Sequence, residues 1–443
     1  MLKQESSADR RNGCGGEPTP GTSDCLVGIS GYAPARVRVG ERSGAMRVLL
    51  VHNFYRIPGG EDSVVREEFS LLRRNGVDVD LFSVSNDDIH GALGALVAGL
   101  SLIYNPSALR ALARKLAEFA PDVVHVHNFF PRLSPSIFDA CRGAGIPVVM
   151  TLHNFRILCP AALLHPQQAF RERSLTHSCW WTVPRKVYRN SAVATLAVAA
   201  MVEFHKWNKT WPRKVDRFIA LSNFAKDVFV KGGLPAERIV VKPNCIASPP
   251  ALDGPPRRGA LFVGRLDEQK GVPTLLKAWT DIDYPLTIIG DGPLADVVAR
   301  AVNVRVLGRQ PRAVVQKEMR AAKFLVLPSV GQEMFPITAL EAFANRLPVI
   351  CSDLASLSDI VSHGANGLTF VAGSARALAD RVLWAINNPK ALDEIGGRAR
   401  SIFEQRYTSE ANFEYLLRIY QAVISSASVS GRHAFTDALP HPS

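Results

Sequence analysis

Cysteine is sparse and unpatterned in this chain. Seven occur in 443 residues, at Cys14, Cys25, Cys141, Cys159, Cys179, Cys245 and Cys351, and no two form a C-x-x-C pair. An odd, scattered set builds neither a disulfide framework nor a zinc knuckle, and a reducing cytoplasm is the compartment that fits it. Long apolar runs are missing too. No stretch reaches the roughly 18–20 apolar residues of a membrane span. The nearest, Gly91–Tyr104 and Ala192–Phe204, are about a dozen residues each and read as buried helices or interfacial segments. Acidic residues are in deficit, 40 against 52 Lys and Arg, for a formal net charge of +12. That balance points to an anionic partner: nucleic acid, a membrane surface or a phosphorylated substrate. With 47% hydrophobic and 21% charged residues, wholesale disorder, collagen and coiled coil are excluded.

What is present is alternation. Residues 1–45 hold six basic and five acidic residues and no apolar core segment. They are expected to be a disordered or mis-annotated extension, with Met46 as the start of the folded protein. From Met46 on, short β-branched runs alternate with helical patterns. Val79–Val84, Val123–Val126, Val148–Leu152 and Phe218–Leu221 read as buried parallel strands, with helices over Glu61–Arg74, Ser107–Phe119 and Asn223–Lys231. Asn244–Gly259 then carries four prolines and two glycines and places a linker at 246–258. The alternation restarts with strands at Ala260–Val263, Leu286–Ile289, Val304–Leu307, Phe324–Leu327 and Val349–Cys351. The expected organisation is α/β: two Rossmann-like doubly wound domains, 46–245 and 259–408, then a helix at 409–425 and a disordered tail at 426–443. A ligand belongs in the cleft between the sheets, at the carboxyl ends of their strands.

The positive charge is concentrated. Residues 46–245 carry 25 basic and 16 acidic side chains, residues 246–443 carry 21 and 19, and the stretch 151–217 alone carries 11 and 3. There Trp180, Trp181, Tyr188, Trp207 and Trp211 interleave with Arg185, Lys186, Arg189, Lys206, Lys209, Arg213 and Lys214, on both sides of the apolar Ala192–Phe204 segment. Such a patch fits docking on an anionic leaflet or holding a phosphorylated acceptor. A solvated face beside a core helix is the other reading. Nucleic acid is not expected, because no nucleic-acid module accompanies the patch.

Two loops carry candidate chemistry. Gly264-Arg265-Leu266-Asp267-Glu268-Gln269-Lys270-Gly271 follows a strand and opens a helix. Its glycines allow close backbone approach, and two cations stand beside free N–H groups, a combination suited to a diphosphate. Pro328–Glu341 follows another strand. Pro336 starts a helix there, Glu333 sits in the loop before it, and Glu341 sits beside the helix's apolar stripe, where a carboxylate needs a partner.

This combination resembles the retaining, GT-B-fold glycosyltransferases of family 4. The resemblance runs over about residues 46–425. It rests on the G-R-L-x-x-x-K-G turn, the E-x-F-x-x-x-x-x-E spacing from Glu333 to Glu341, the Gly290-Asp291-Gly292-Pro293 loop and Val306-Leu307-Gly308. It implies that Arg265 and Lys270 bind the diphosphate of a sugar nucleotide and that Glu341 takes the ribose. Glu333 would contact the donor sugar, Gly292 would belong to the donor loop, and backbone near Arg309 and Gln310 would read the base. In the first domain it implies that Gly59 and Gly60 lie near the phosphates and that His153 faces the donor sugar. The nucleoside-diphosphate sugar is a substrate, so no cofactor and no metal are expected. The two D-x-D triplets, Asp78-Val79-Asp80 and Asp281-Ile282-Asp283, sit at the wrong end of their strands for the cleft. The expected acceptor is a saccharide or lipid-linked sugar on the first domain, with the protein cytoplasmic and peripheral on the inner membrane face. A sugar-nucleotide epimerase, a phosphorylase or a non-catalytic polysaccharide- or membrane-binding scaffold are the rivals. Two departures from the family pattern stand out: Asn345-Arg346 where a small residue and Gly are frequent, and Pro336 where Gly is frequent.

Overall fold

The chain's alternating runs assemble into two parallel sheets. A computed structural model describes residues 45–56, 59–86, 101–162, 175–249, 257–301 and 303–436. The expected extension before Ala45, the apolar run 91–100, the linker core 250–256 and the final residues 437–443 lie outside the described residues. The first sheet comprises β1 (Arg47–Phe54), β2 (Asp78–Ser85), β3 (Val123–Asn128), β4 (Val148–Leu152), β5 (Arg217–Ala220) and β6 (Ile239–Val241), in the order β2-β1-β3-β4-β5-β6. The second comprises β7 (Ala260–Val263), β8 (Leu286–Ile289), β9 (Val304–Val306), β10 (Phe324–Leu327), β11 (Val349–Ser352) and β12 (Leu368–Phe370), in the order β12-β11-β10-β7-β8-β9. Their strands pair in parallel. Parallel strands need crossovers that cover both faces, which is why β3, β4, β10 and β11 are buried along their whole length. The order reverses between β1 and β3 and between β7 and β10, and crevices open at such switch points.

Local sequence sets the helix starts. Asn105 accepts from the Ser107 and Ala108 N–H groups, and Pro106 occupies the first turn of Pro106–Phe119. Such a cap contributes about 1 kcal/mol. Helix Ile337–Ala344 begins directly after Pro336. At its end Arg346 adopts φ 52°, a left-handed conformation. The glycine frequent there in the family would hold that conformation without steric cost.

The C-terminal helix differs from expectation. It runs from Ser409 to Thr436, through much of the stretch expected to be a disordered tail. Its Leu416, Ile419, Tyr420 and Val423 pack on Val48, Leu50, Val123, Val149 and Ile219 of the first sheet. The chain thus crosses back, and its last helix completes the first domain's core. Further contacts join the halves: the Ser222 hydroxyl donates to the Met334 carbonyl at 3.2 Å, and the Phe224 N–H donates to Asp359 at 2.9 Å.

Candidate functional site

Loops leaving the carboxyl ends of both sheets converge on a cavity of about 400 Å³. After β1 come Gly60 and Glu61, and after β4 come His153 and Asn154. After β7 come Gln269 and Lys270, and after β10 come Gly331 to Phe335. Gly60 sits against the second domain: a side-chain carbon there would stand 3.3 Å from the Ile337 side chain. Among the expected donor-site residues, Gly60, His153, Lys270 and Glu333 line this cavity.

The Arg/Lys turn is held from below. Gly271 has φ 71° and packs directly on the Pro328 carbonyl, so no side chain fits there. Gly292 is a second close approach, with a side-chain carbon at that position only 2.5 Å from the Leu266 carbonyl oxygen. Leu266 donates to the Asp291 carbonyl and accepts from the Leu294 N–H, both at 2.9 Å. The glycine-rich loop after β8 therefore clamps the backbone beside Arg265. Arg265 itself is exposed, its Nε 3.2 Å from Asp267.

Lys270 Nζ lies 2.8 Å from Glu333 Oε2, and the Ser329 hydroxyl donates to Glu333 Oε1 at 2.7 Å. Burial alone would push the Glu333 carboxyl up. The Lys270 ammonium and the Ser329 hydroxyl outweigh it and hold the group below its ordinary range. The site therefore presents an ionised carboxylate and a lysine side by side. Glu341 is mostly buried, with Oε1 3.7 Å from Arg312 Nε. Burial pushes its carboxyl above the ordinary range, and Arg312 offsets only part of that rise. Arg309 is exposed on the loop after β9. Gly59 caps the Gly60–Arg74 helix, where its N–H donates to Asp62 at 2.9 Å.

On the opposite wall, burial drives His153 well below the usual imidazole range, so its ring is neutral. Its Nε2 lies 2.9 Å from His127 Nδ1. Behind it are Glu68, His125 and Lys242, which no sequence motif singled out. A signal existed: His125 and His127 alternate on one strand and so share a face. Metal-ligand atoms of Glu68, His125 and His127 all lie within 4.8 Å of one another. This cluster does not fit an ion. Both His125 nitrogens are engaged by the Tyr420 and Thr151 hydroxyls, and the Lys242 ammonium already sits 2.8 Å from Glu68. In the first D-x-D triplet, Asp78 pairs with Arg47 and Asp80 with Lys115, at the amino end of β2.

The basic stretch divides. Lys206 lies 3.9 Å from Glu203 and Lys214 2.6 Å from Asp139. Trp211 is core, packed on Phe129 and Phe138. Arg185, Lys186, Arg189, Lys209 and Arg213 are exposed. The apolar segment forms helix Ala192–Trp207, whose Thr195, Val198, Ala199, Val202 and His205 face inward. Val193, Leu196, Phe204 and Trp207 face outward, with Val193 78% and Trp207 79% exposed. Their spacing puts all four on one stripe. No described helix is long and apolar enough to cross a membrane.

Comparison with known proteins agrees with this architecture. The profile described as Glycosyltransferase Family 4 matches residues 58–248, and that of Glycosyl transferases group 1 matches residues 255–402. Phosphatidyl-myo-inositol mannosyltransferase of Mycobacterium leprae is 26% identical over 411 residues, covering 86% of this chain and 98% of that protein. Among solved structures, sucrose-phosphate synthase from Thermosynechococcus elongatus superposes with TM-score 0.65 at 17% identity, covering 86% of this chain and 100% of that one. HepE of Anabaena in complex with UDP superposes with TM-score 0.59 at 18% identity, covering 85% and 100%.

Proposed function

We propose a reaction for a chain that belongs to family 4 of the GT-B-fold glycosyltransferases: transfer of a hexose from a nucleoside-diphosphate sugar to a saccharide or lipid-linked acceptor, with retention at the anomeric carbon. The observation that carries this reading is the cavity between the two sheets, with Lys270 and Glu333 paired on one wall and His153 on the other. Charge develops on the leaving diphosphate in the transition state, and a preplaced cation beside a helix start stabilises it. Lys270 and Arg265 serve that role, so no metal ion is required. Glu341 takes the ribose and Glu333 the sugar. The acceptor attacks from the face the diphosphate leaves, and the departing phosphate oxygen takes the acceptor proton. The UDP bound to HepE supports a nucleotide donor.

The exposed stripe of helix Ala192–Trp207, flanked by Arg185, Lys186, Arg189, Lys209 and Arg213, docks the first domain on an anionic leaflet at the cytoplasmic face. The similarity to a phosphatidyl-myo-inositol mannosyltransferase favours a lipid-linked acceptor and a place in glycolipid or polysaccharide assembly. Nucleotide release measured over UDP-, GDP- and ADP-sugars, with lipid-linked acceptors, tests the reaction. Release from none of them overturns it, and conversion of the donor without acceptor would identify an epimerase instead. Flotation with liposomes tests the docking, and equal binding to neutral and anionic vesicles would count against the charge argument.

A further inference from the structure

Behind His153 the cleft wall continues as a buried polar chain. Lys242 Nζ donates to Glu68 Oε1 at 2.8 Å, with both side chains almost fully buried. The other oxygen, Glu68 Oε2, lies 3.3 Å from His127 Nε2. Both of these atoms are buried and neither has a hydrogen-bond partner, so two orphaned polar atoms face each other across that gap. His127 Nδ1 faces His153 Nε2 at 2.9 Å, with the two rings stacked. Of these groups His153 lines the cavity. Its Nε2 is spent on His127, which leaves Nδ1 for a ligand. His125 stands aside, with each nitrogen on a hydroxyl.

Charge and bonding fix where the protons are. Lys242 and Glu68 cancel. A third charge on His127 in this buried space would be uncompensated and would cost several kcal/mol. With one N–H on His127 the buried charges stay balanced. A carboxylate only accepts, so that N–H sits at Nε2, toward Glu68. His127 Nδ1 is then bare and accepts from His153 Nε2–H. The remaining nitrogen of His153, a residue that lines the cavity, then carries a lone pair.

We propose that Glu68 is a positioning residue for the donor sugar: through His127 it holds His153 in the Nε2–H tautomer, so that Nδ1 selects a sugar bearing a hydroxyl against it and disfavours a carboxylate there. The proposal rests on reading the cavity as the donor-sugar site. A uronate in that position would bring its oxygens against the Nδ1 lone pair and leave both unpaired.

Glu68→Gln makes the logic testable. The carbonyl of the introduced amide would face the Lys242 ammonium, and its NH2 would donate to His127 Nε2. His127 would then protonate at Nδ1, donate to His153, and reverse the His153 tautomer. Nitrogen NMR of protein labelled with 15N-histidine, assigned by loss of the signal in His153→Gln, reads the tautomer with no substrate present. The expected result is an Nε2–H His153 in the wild type and an Nδ1–H His153 in Glu68→Gln. An Nδ1–H or doubly protonated His153 in the folded wild type overturns the proposal by itself, whether or not any variant folds. An unchanged tautomer in folded Glu68→Gln, or in Glu68→Gln/Lys242→Met where the charge pair is removed together, overturns the role of Glu68. In kinetics, Glu68→Gln should lower the preference for a neutral hexose over the matching uronate at least roughly tenfold in kcat/KM, with nucleotide affinity unchanged. An unaltered preference would also refute it. If no sugar nucleotide is turned over while the tautomer is as stated, the substrate reading fails and the tautomer assignment stands.

Discussion

Removing the Lys270 ammonium is the sharpest perturbation of the proposed donor site. In Lys270→Ala the carboxylate of Glu333 loses a partner at 2.8 Å and keeps only the Ser329 hydroxyl. A unit charge about 4 Å from a phosphate oxygen, at an effective dielectric near 20, is worth about 4 kcal/mol. Most of that acts equally on bound donor and transition state. Only the charge that develops during cleavage accelerates the reaction, and a third to a half of a charge gives roughly 1.4–2 kcal/mol. Lys270 is about a third exposed, so solvent screening favours the lower end. The expected loss is therefore at least roughly tenfold in transfer rate. A second signature follows from Glu333. With Lys270 present its carboxyl sits below the ordinary range; without it, burial dominates and the carboxyl moves up. The acidic limb of the kcat/KM profile should shift to higher pH in the variant. Stopped nucleotide-release assays at several pH values read both effects. Turnover close to wild type, or an unmoved acidic limb, would refute the assignment of Lys270 to the diphosphate and its control of Glu333.

Other outcomes are expected. Glu341→Ala should lower kcat/KM at least roughly tenfold, through a raised KM for the donor, and an unchanged KM would remove Glu341 from the nucleotide site. Trp207→Ser deletes the most exposed large apolar side chain of the described residues; if the stripe docks on lipid, vesicle flotation should fall about tenfold, from roughly 1.5 kcal/mol of lost burial, with melting unaffected. Stability should fall in mild acid. Burial holds His52, His125 and His153 below their ordinary range and His205 at about 4. The folded state keeps these rings neutral while the unfolded chain takes protons below about pH 6.5. Stability therefore drops as the pH is lowered, by up to about 1.4 kcal/mol per pH unit for each ring, while the buried Glu61 carboxyl, pushed up to about 8, has the opposite sign and offsets about one of the four rings. Urea denaturation at pH 7.5 and 5.5 checks this, and equal stabilities would refute it.

The strands were legible because a parallel sheet covered on both faces writes itself as short apolar β-branched runs. Val148–Leu152, Ala260–Val263, Leu286–Ile289 and Phe324–Leu327 coincide with β4, β7, β8 and β10. What escaped were elements whose identity depends on partners. β6 and β12 have three residues each and are strands because β5 and β11 offer them edges. The last helix carries an ordinary amphipathic pattern. Nothing local says that its apolar side belongs to the first sheet rather than the second, nor that it continues past residue 425.

The site divides along the same line. Lys270 and Glu333 announce themselves because loops at strand ends are free to hold charged residues, and a charge kept at a strand-to-helix turn has few structural reasons to be there. The supporting layer gives a different signal. On the Gly60–Arg74 helix, Glu68 occupies a buried position among Val64, Val65, Leu71 and Leu72. On β3, buried along its full length, His125 and His127 occupy one face. Each is a polar residue where the pattern calls for an apolar one, and desolvation allows that only if the intruders satisfy each other. The sequence spacings, 57 residues from Glu68 to His125 and 174 from Glu68 to Lys242, do not reveal that they meet, since that depends on which helix crosses which strand. Polar intruders on a crossover helix and on a neighbouring buried strand can nevertheless be matched to each other, because each needs a partner and few others are within reach of a dry sheet face. Here that matching pairs Glu68 with the β3 histidines, and through His127 it leads to His153 in the cleft wall.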